Sequence, residues 1–363
     1  MNFRSTAASE LSQKMATLMA HLSDHEHGKL IQRSLKTLID LSEQDLDRLD
    51  WKILSAALQD MARGFEVFHP YRHTRKVAIF GSSRLTPTSQ AYQMAVQFAQ
   101  AIIERGFMVM TGAGGGIMEA GNAGATAEHS FGLNIQLPFE QSTNPYIAGD
   151  AKLIDFKYFF TRKLFFLRET DAIAVFPGGF GTLDEAFECL TLGQTGKSPP
   201  IPVVLVAPPG SNYWQDWDTY IRTHLTAQQL ISPEDHRLYS VTDSVEQACN
   251  EVANFYRVYH SSRYVGDRFV IRLNCAISDT VVDRLNQDFQ DILISGAIQK
   301  SDALWEERSQ SEPQPKQDID RTESLPRLVF HFNQRDHGRL YQLISQLNDL
   351  ESLEAPACHP ERK

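Results

Sequence analysis

Between residues 76 and 210, short apolar runs that end in glycine or proline alternate with sequence suited to helices. The runs are VAIFGSS, FMVMTGAGGG, FGLNIQLP, AIAVFPGGFG and IPVVLVAPPG. Short apolar runs with helical segments between them, such as those near residues 89–104 and 157–170, are typical of buried strands in a parallel sheet. The alternation predicts an α/β fold, a Rossmann-like doubly wound parallel sheet with helices on both faces.

The sequence on either side of this alternation differs in character. Residues 1–73 predict a helical N-terminal extension, in which SEQD at residues 42–45 matches a capping box ahead of the second helix. Residues 74–260 form the predicted Rossmann-like domain. Residues 265–350 predict a small α+β C-terminal domain, with half of a ferredoxin-like fold as the suggested form. A polar, proline-bearing stretch predicts a flexible loop near residues 306–325.

Composition and charge restrict the classes of partner. The chain has 363 residues, 42% of them hydrophobic, and a formal net charge of -10. Broad nucleic-acid binding needs a basic surface, so we expect no nucleic-acid partner. We expect a cytoplasmic protein without a membrane partner, because no leader and no apolar run of about 18 residues is present. The four cysteines form no CxxC pair, which disfavours a disulfide scaffold and a metal site.

Three of the predicted strand ends are rich in glycine. They are Gly81-Ser82-Ser83, Gly112 to Gly116, and Gly178-Gly179-Phe180-Gly181-Thr182. Ligands of doubly wound sheets bind outside the carboxyl ends of the strands, where these segments should meet. Glycine lets backbone N–H groups approach a ligand closely, and a helix N-terminus adds partial positive charge. The turn at Gly178–Thr182 therefore predicts a phosphate site, with the Thr182 hydroxyl as an added donor.

A purely structural interpretation of the same segments stays open. Glycine is common in turns after strands, and Thr182 to Glu185 matches a capping box. Three such segments at one sheet edge nevertheless favour a ligand site. Gly112–Gly116 lacks the Lys-Ser/Thr of a Walker loop and is not a clean GxGxxG. A nicotinamide enzyme is also disfavoured, since no acid ends the second strand where a dinucleotide ribose would need one.

Charged residues near the last glycine turn suggest chemistry on a sugar. Asp184 and Glu185 follow the turn, and a carboxylate close to a bound phosphate would be repelled unless it served another purpose. Cleavage of an N-glycosidic bond needs a carboxylate near the anomeric carbon, one sugar away from a 5′-phosphate. Arg162 and Lys163 could meet an anion, although their spacing alone favours a solvated helix face.

These motifs together resemble the Lonely Guy (LOG) family, once called possible lysine decarboxylases. PGGFGTLDE at residues 177–185 is similar to the family signature PGGxGTxxE, and FFTRK at residues 159–163 is similar to its Arg-Lys half. The likeness extends through GSSR, TGAGGGIMEAGNAGA, GLNIQLPFEQSTNPYI and LTLGQTGK, from about residue 74 to 259. Phe159-Phe160, where short cytokinin-type members carry Met-His, is typical of the longer bacterial branch.

The resemblance implies a phosphoribohydrolase that converts a nucleoside 5′-monophosphate to free base and ribose 5-phosphate. It implies AMP-like purine nucleotides as favoured substrates, cytokinin riboside monophosphates as possible ones, no cofactor, and a homodimer or larger homo-oligomer. Glu185 would be the catalytic acidic residue and Arg162 its basic partner. The residues expected to contact the nucleotide are Lys163, Gly178, Gly179, Gly181, Thr182, Asp184, Glu140, Thr191, Gly81, Ser82, Ser83, Gly114, Gly115, Gly116, Met118 and Glu119.

Two other functions are weighed against this one. A non-catalytic protein that binds a nucleotide or a cofactor would use a similar fold, but the Glu185–Arg162 pair argues against it. A lysine decarboxylase is disfavoured, because the sequence offers no recognisable lysine context for pyridoxal phosphate.

Overall fold

A computed structural model describes residues 17, 22, 25–136, 143–309 and 322–349, and the chain divides into two compact units. The first unit comprises Met1–Ser55 and Ala303–Ser324. Its described part holds helix α1 (Gly28–Ser42), the start of helix α2 (Arg48–Phe68) and a short helix, Trp305–Ser309. The boundaries of the three predicted domains stay predictions.

The start of helix α2 differs from the prediction. Asp47 Oδ1 accepts hydrogen bonds from the backbone N–H groups of Leu49 and Asp50, at 2.6 and 3.1 Å. Ser42 instead ends helix α1, and its hydroxyl donates to the carbonyl of Ile39. The predicted capping box at residues 42–45 is therefore wrong, and Asp47 caps α2.

The second unit, Ala56–Asp302 with Leu325–Lys363, contains a seven-stranded parallel sheet. Its strands are β1 (Lys76–Phe80), β2 (Met108–Thr111), β3 (Ser130–Ile135), β4 (Leu153–Phe156), β5 (Ala172–Val175), β6 (Val203–Val206) and β7 (Ser240–Thr242). The helices between them are α3 (Gln90–Glu104), α4 (Ile117–Ala125), α5 (Phe159–Glu169), α6 (Phe180–Gln194), α7 (Tyr213–Tyr220) and α8 (Val245–Phe255). The prediction of an α/β fold with a parallel sheet is confirmed, but strands β4 and β7 were not predicted.

Alternate residues of each central strand enter different cores. In β1, Val77 and Ile79 pack into the cluster that contains Phe98 of helix α3. Ala78, between them, packs into the cluster that contains Phe166 of helix α5. Both faces of the sheet are therefore covered by helices, which is why strand β1 is apolar from Val77 to Phe80.

The strand order fixes where a ligand would bind. The order is β4-β3-β2-β1-β5-β6-β7, so the chain winds outward from β1 to β4 and then returns to place β5 on the other side of β1. The direction of winding reverses between β1 and β5. Crevices for ligands open at such a reversal, outside the carboxyl ends of the two strands.

A separate four-stranded antiparallel sheet follows in the same unit. It contains β8 (Tyr259–Val265), β9 (Arg268–Leu273), β10 (Leu293–Ser301) and β11 (Arg327–Phe332), in the order β10-β11-β9-β8, with helices α9 (Asp279–Asp288) and α10 (His337–Asp349). Strands β9 and β10, which are connected through α9, lie on either side of β11 and are both antiparallel to it. This is the split βαβ arrangement of a ferredoxin-like half, although the full order of elements is ββαββα and not βαββαβ. Of the predicted flexible loop, residues 310–321 lie outside the described residues.

Three cysteines lie in the described part of the chain. Cys189 and Cys249 are buried free thiols, whereas Cys275 takes part in a disulfide bond. One such bond is not the disulfide scaffold of a small secreted domain.

Among the described helices, none combines the length and the apolar character needed to cross a membrane.

Candidate active site

The three glycine-rich strand ends meet where the winding of the sheet reverses. The N–H of Ser82, after β1, donates to the carbonyl of Pro177, after β5, at 3.1 Å. The carbonyl of Ser82 accepts from the N–H of Ile117 at 3.0 Å. A Cβ on Gly116, which has a φ of +65°, would lie 2.2 Å from the Ser82 carbonyl oxygen. Glycine is thus required at residue 116, and the three segments form one surface.

The glycines of the turn after β5 differ in what requires them. A Cβ on Gly178 would lie 2.1 Å from Thr182 Oγ1, and the Gly178 carbonyl accepts a hydrogen bond from the Tyr213 hydroxyl at 2.6 Å. A Cβ on Gly179 or Gly181 would meet no atom within 4 Å. Packing therefore explains Gly178 but not the other two. Their backbone lies open at the N-terminus of α6, where unpaired N–H groups attract anions.

The capping-box interpretation of this turn is wrong. Helix α6 begins at Phe180, its N-cap is Gly179, and no side chain caps it. Thr182 is already inside the first turn and is buried, so its hydroxyl does not occupy the cap position. Glu185 lies in the second turn and is also buried. The turn therefore leaves its helix N-terminus uncapped, as an anion site would require.

Glu185 and Arg162 form a buried pair of opposite charges. Glu185 is only 4% exposed, and its Oε1 lies 4.0 Å from Arg162 Nη2. Within the described residues, Glu185 Oε2 and Arg162 Nε are buried without a hydrogen-bond partner. Burial raises the pKa of the Glu185 carboxyl, while the charges of Lys163 and Arg162 act in the opposite direction. A carboxylate held this way is suited to accept a proton.

The other charged pair in the site is arranged differently. Lys163 Nζ lies 2.5 Å from a carboxylate oxygen of Asp184 and 2.5 Å from one of Glu188, and 4.0 Å from Glu185 Oε2. Burial lowers the pKa of Lys163, but these carboxylates raise it by more, so its pKa lies above the ordinary value. The Asp184 side chain is 65% exposed, so of the two adjacent carboxylates only Glu185 faces the interior. Sequence analysis missed Glu188, although its position one turn after Asp184 was a usable signal.

Arg162 also lies beside the glycine loop after β2. A Cβ on Gly112 would lie 2.7 Å from Met118 Sδ and 3.7 Å from Arg162 Nη1. Beside Met118 in helix α4, Glu119 Oε1 accepts a hydrogen bond from the Tyr92 hydroxyl at 3.3 Å. A Cβ on Gly115 would lie 3.9 Å from Glu119 Oε2 and 3.5 Å from the Ser83 carbonyl oxygen. The predicted residues of the first and second loops therefore come together with Arg162.

A buried network of amides, also missed in the sequence, supports this second loop. Asn144 Nδ2 donates to the carbonyl of Gly114 at 3.1 Å and to Asn122 Oδ1 at 2.9 Å. The Thr111 hydroxyl donates to the same Asn122 oxygen at 2.7 Å and accepts from the N–H of Ala113 at 3.0 Å. Ala113 has a φ of +60°, which the network holds in place.

The remaining predicted contacts are Thr191 and Glu140. The Thr191 hydroxyl donates to the Phe187 carbonyl at 2.7 Å, as an exposed threonine in a helix commonly does. Glu140 lies outside the described residues. Within the described part of the chain, no group of three or more His, Cys, Asp or Glu side chains could hold a metal ion.

Comparison with known proteins gives one family match. Residues 93–252 match the model of a family described as "Possible lysine decarboxylase". These residues form a LOG-family domain. No curated protein matches the sequence. The LOG-family domain includes Arg162, Lys163 and the glycine turn with Glu185, but not strand β1.

Several solved structures resemble about half of this chain at low identity. A protein named TM1055 is 24% identical, over 48% of this chain and 95% of that one, with a TM-score of 0.35. A molybdenum cofactor binding protein from Rippkaea orientalis is 20% identical, over 48% and 93%, with a TM-score of 0.33. DNA processing protein A from Helicobacter pylori is 15% identical, over 50% and 81%, with a TM-score of 0.35. These likenesses carry no argument about function.

Proposed function

We propose that the LOG-family domain hydrolyses the N-glycosidic bond of a nucleoside 5′-monophosphate, giving free base and ribose 5-phosphate. The observation that carries the proposal is the placement of Glu185. It is a buried carboxylate with one oxygen beside Arg162 and the other without a hydrogen-bond partner among the described residues. It follows, by one helical turn, an uncapped glycine turn at the reversal point of the sheet.

The glycine turn is suited to the phosphate. The N–H groups at the start of α6 carry partial positive charge, and Gly179 and Gly181 leave room for an anion to approach them. The Thr182 hydroxyl supplies a further donor. A phosphate at this end of α6 places the ribose of a 5′-nucleotide toward the second turn, where Glu185 lies.

The reaction then requires one proton acceptor near the anomeric carbon. Glu185 takes a proton from water, the water oxygen bonds to C1′, and the bond between C1′ and the base nitrogen breaks. The electron pair of that bond leaves with the base, which takes its proton from solvent. Glu185 in its ionised form also stabilises the positive charge that develops on the sugar. The charges of Lys163 and Arg162 lower the pKa of Glu185 and so favour its ionised form, whereas its burial raises that pKa.

AMP-like purine nucleotides are the proposed substrates, with cytokinin riboside monophosphates as secondary ones. Phe159 and Phe160 head the helix that carries Arg162, and both side chains are largely exposed. Aromatic side chains at these two residues can stack on a flat purine base, which small polar side chains could not do.

A product assay tests this proposal. Purified protein is incubated with AMP, GMP, CMP, UMP and isopentenyladenosine monophosphate, and free base is separated from nucleotide by chromatography. Base release with AMP at the highest rate is expected. Binding of AMP without release of base from any nucleotide would contradict the proposal and assign the chain to non-catalytic nucleotide-binding proteins.

A homodimer or larger homo-oligomer is part of the proposal. Phe180, beside the glycine turn, is 94% exposed, and Phe159, Phe160 and Leu164 on helix α5 are also exposed. Large apolar side chains grouped near a polar site favour contact with another surface. Light scattering coupled to size-exclusion chromatography should give a mass of two or more chains, and a monomer at micromolar concentration would contradict this part.

A further inference from the structure

A buried carboxylate of the N-terminal helix α2, that of Asp60, binds the start of helix α5. Asp60 is 7% exposed, and its Oδ2 lies 3.0 Å from the backbone nitrogen of Lys157 and 3.3 Å from that of Tyr158. The same oxygen accepts a hydrogen bond from the Thr161 hydroxyl at 2.6 Å. All three donors lie at the start of α5, the helix that carries Arg162 and Lys163.

Helix α5 has no cap from its own sequence. Tyr158 occupies the N-cap position, and its side chain makes no capping hydrogen bond. Tyrosine lacks the short acceptor with which serine, threonine, asparagine or aspartate satisfies the first amides of a helix. Asp60 instead binds the backbone N–H groups of Lys157 and Tyr158, just before the first turn, and the Thr161 hydroxyl within it, and places a negative charge at the positive end of the helix.

Helices α2 and α5 are also packed closely against each other. A Cβ on Gly64 would lie 2.3 Å from the Phe165 ring, so α2 approaches α5 at a distance that only glycine allows. The Phe68 ring stacks on Phe165 with centroids 6.0 Å apart. The position of Asp60 is thus fixed relative to α5, and the hydrogen bonds fix the first turn of α5 in return.

We propose that Asp60 is a positioning residue for Arg162 and Lys163. It acts through the first turn of α5, and the inference rests on the proposed function of the site. Thr161 is the link, because its hydroxyl is bound to Asp60 and its backbone is joined directly to Arg162. Without Asp60, the first turn of α5 would fray, and the guanidinium would leave its place 4.0 Å from Glu185.

Asp60→Asn tests the proposal, with Glu66→Gln as control. Both changes remove a negative charge from helix α2, but Glu66 is exposed and pairs with Arg63 on the surface. With AMP, Asp60→Asn should lower kcat by about 10- to 100-fold, as expected when a catalytic group is misplaced by about an ångström. KM should change little, and Glu66→Gln should leave both constants unchanged. A folded Asp60→Asn protein with wild-type kcat and KM would overturn the proposal.

The pH dependence separates positioning from a general loss of stability. Arg162 lowers the pKa of Glu185, so displacing Arg162 should move the acidic limb of the kcat/KM profile to higher pH in Asp60→Asn. A merely structural role would reduce the amount of active protein and leave that limb in place. If Asp60→Asn does not fold, Thr161→Val, which removes only one hydroxyl, should shift the limb in the same direction by less. An unmoved limb in a folded variant would count against the proposal.

A measurement without activity distinguishes this proposal from the proposed function. Hydrogen exchange of the backbone amides at residues 157–163 should be faster in Asp60→Asn than in wild type and in Glu66→Gln. This result is expected even if wild-type protein releases no base from any nucleotide. Unchanged exchange at residues 157–163 would overturn the positioning role, whatever the outcome of the activity assay.

Discussion

Arg162 and Glu185 face each other from two helices with 4.0 Å between Nη2 and Oε1. Arg162 enters from the first turn of α5, before strand β5, and Glu185 enters from the second turn of α6, after it. Both side chains are largely withdrawn from solvent, which lowers the pKa of Arg162 and raises that of Glu185 by desolvation. A buried pair that leaves one nitrogen and one oxygen without partners among the described residues is better suited to a substrate than to stability.

The first prediction concerns the shape of the Arg162 side chain. Arg162→Lys keeps the charge but loses the planar fork that reaches both Glu185 and the Gly112 loop. We expect kcat/KM for AMP to fall at least about tenfold, since arginine and lysine are not interchangeable at such sites. Arg168→Lys, on an exposed part of the same helix, is the matched control and should retain wild-type activity. Equal activity of the two variants would contradict the role of Arg162.

The second prediction concerns pH. Glu185 must be ionised to accept a proton, and burial raises its pKa above the ordinary value of about 4.3 for glutamate. The acidic limb of the kcat/KM profile should therefore lie above that value, with activity lost as the pH falls through it. Lys163→Gln removes a charge that lowers the pKa of Glu185, so the limb should move to higher pH in that variant.

Comparing the two proteins removes the contribution of the substrate, because the phosphate of AMP ionises identically in both assays. The measurement is kcat/KM at pH values from acid to neutral for wild type and Lys163→Gln. A limb that does not move would show that Glu185 is not the group that titrates.

The third prediction separates the glycines of the turn. Gly178→Ala would place a methyl group 2.1 Å from Thr182 Oγ1 and 2.9 Å from the Ser82 backbone nitrogen, so we expect a loss of about 1–3 kcal/mol in the free energy of unfolding. Gly181→Ala meets no atom within 4 Å and lies inside a helix, where alanine is favoured. It should unfold at the same temperature as wild type or higher, but bind AMP more weakly.

Thermal unfolding and calorimetric titration with AMP check both variants. A Gly181→Ala protein that binds AMP as tightly as wild type would contradict the proposal that glycine at residue 181 lets the phosphate approach the backbone. A Gly178→Ala protein as stable as wild type would show that the turn can relax around the added carbon.

The sequence predicted the part of the fold that local patterns encode. Strands β1, β2 and β5 are buried at every residue and consist mainly of apolar residues, so they can be recognised from the sequence alone. Strand β4 lies at an edge of its sheet, and the exposed Asp155 interrupts its apolar residues. Strand β10 also lies at a sheet edge, and most of its residues are exposed, so it lacks a continuous apolar run.

In the candidate site, residues that belong to short local motifs were predictable, and residues joined only by tertiary contacts were not. The glycine turns and Glu185 were found because their spacing along the chain is itself the signal. Asp60 could not be found, because it binds the start of a helix that begins 99 residues later, at Phe159, and the packing of Gly64 against Phe165 brings them together. Asn144 and Asn122 are joined in the same way, through a contact that no local pattern encodes.

The central claim is that Glu185 makes this domain a hydrolase of nucleotides. The most direct measurement is the simultaneous determination of adenine and ribose 5-phosphate released from AMP by wild type and by Glu185→Gln, with AMP binding measured for both. We expect wild type to release adenine and ribose 5-phosphate in equal amounts. Glu185→Gln should lose about 100-fold or more in rate, and both proteins should bind AMP. Full activity of Glu185→Gln, or a wild-type protein that binds AMP and releases neither product, would contradict it.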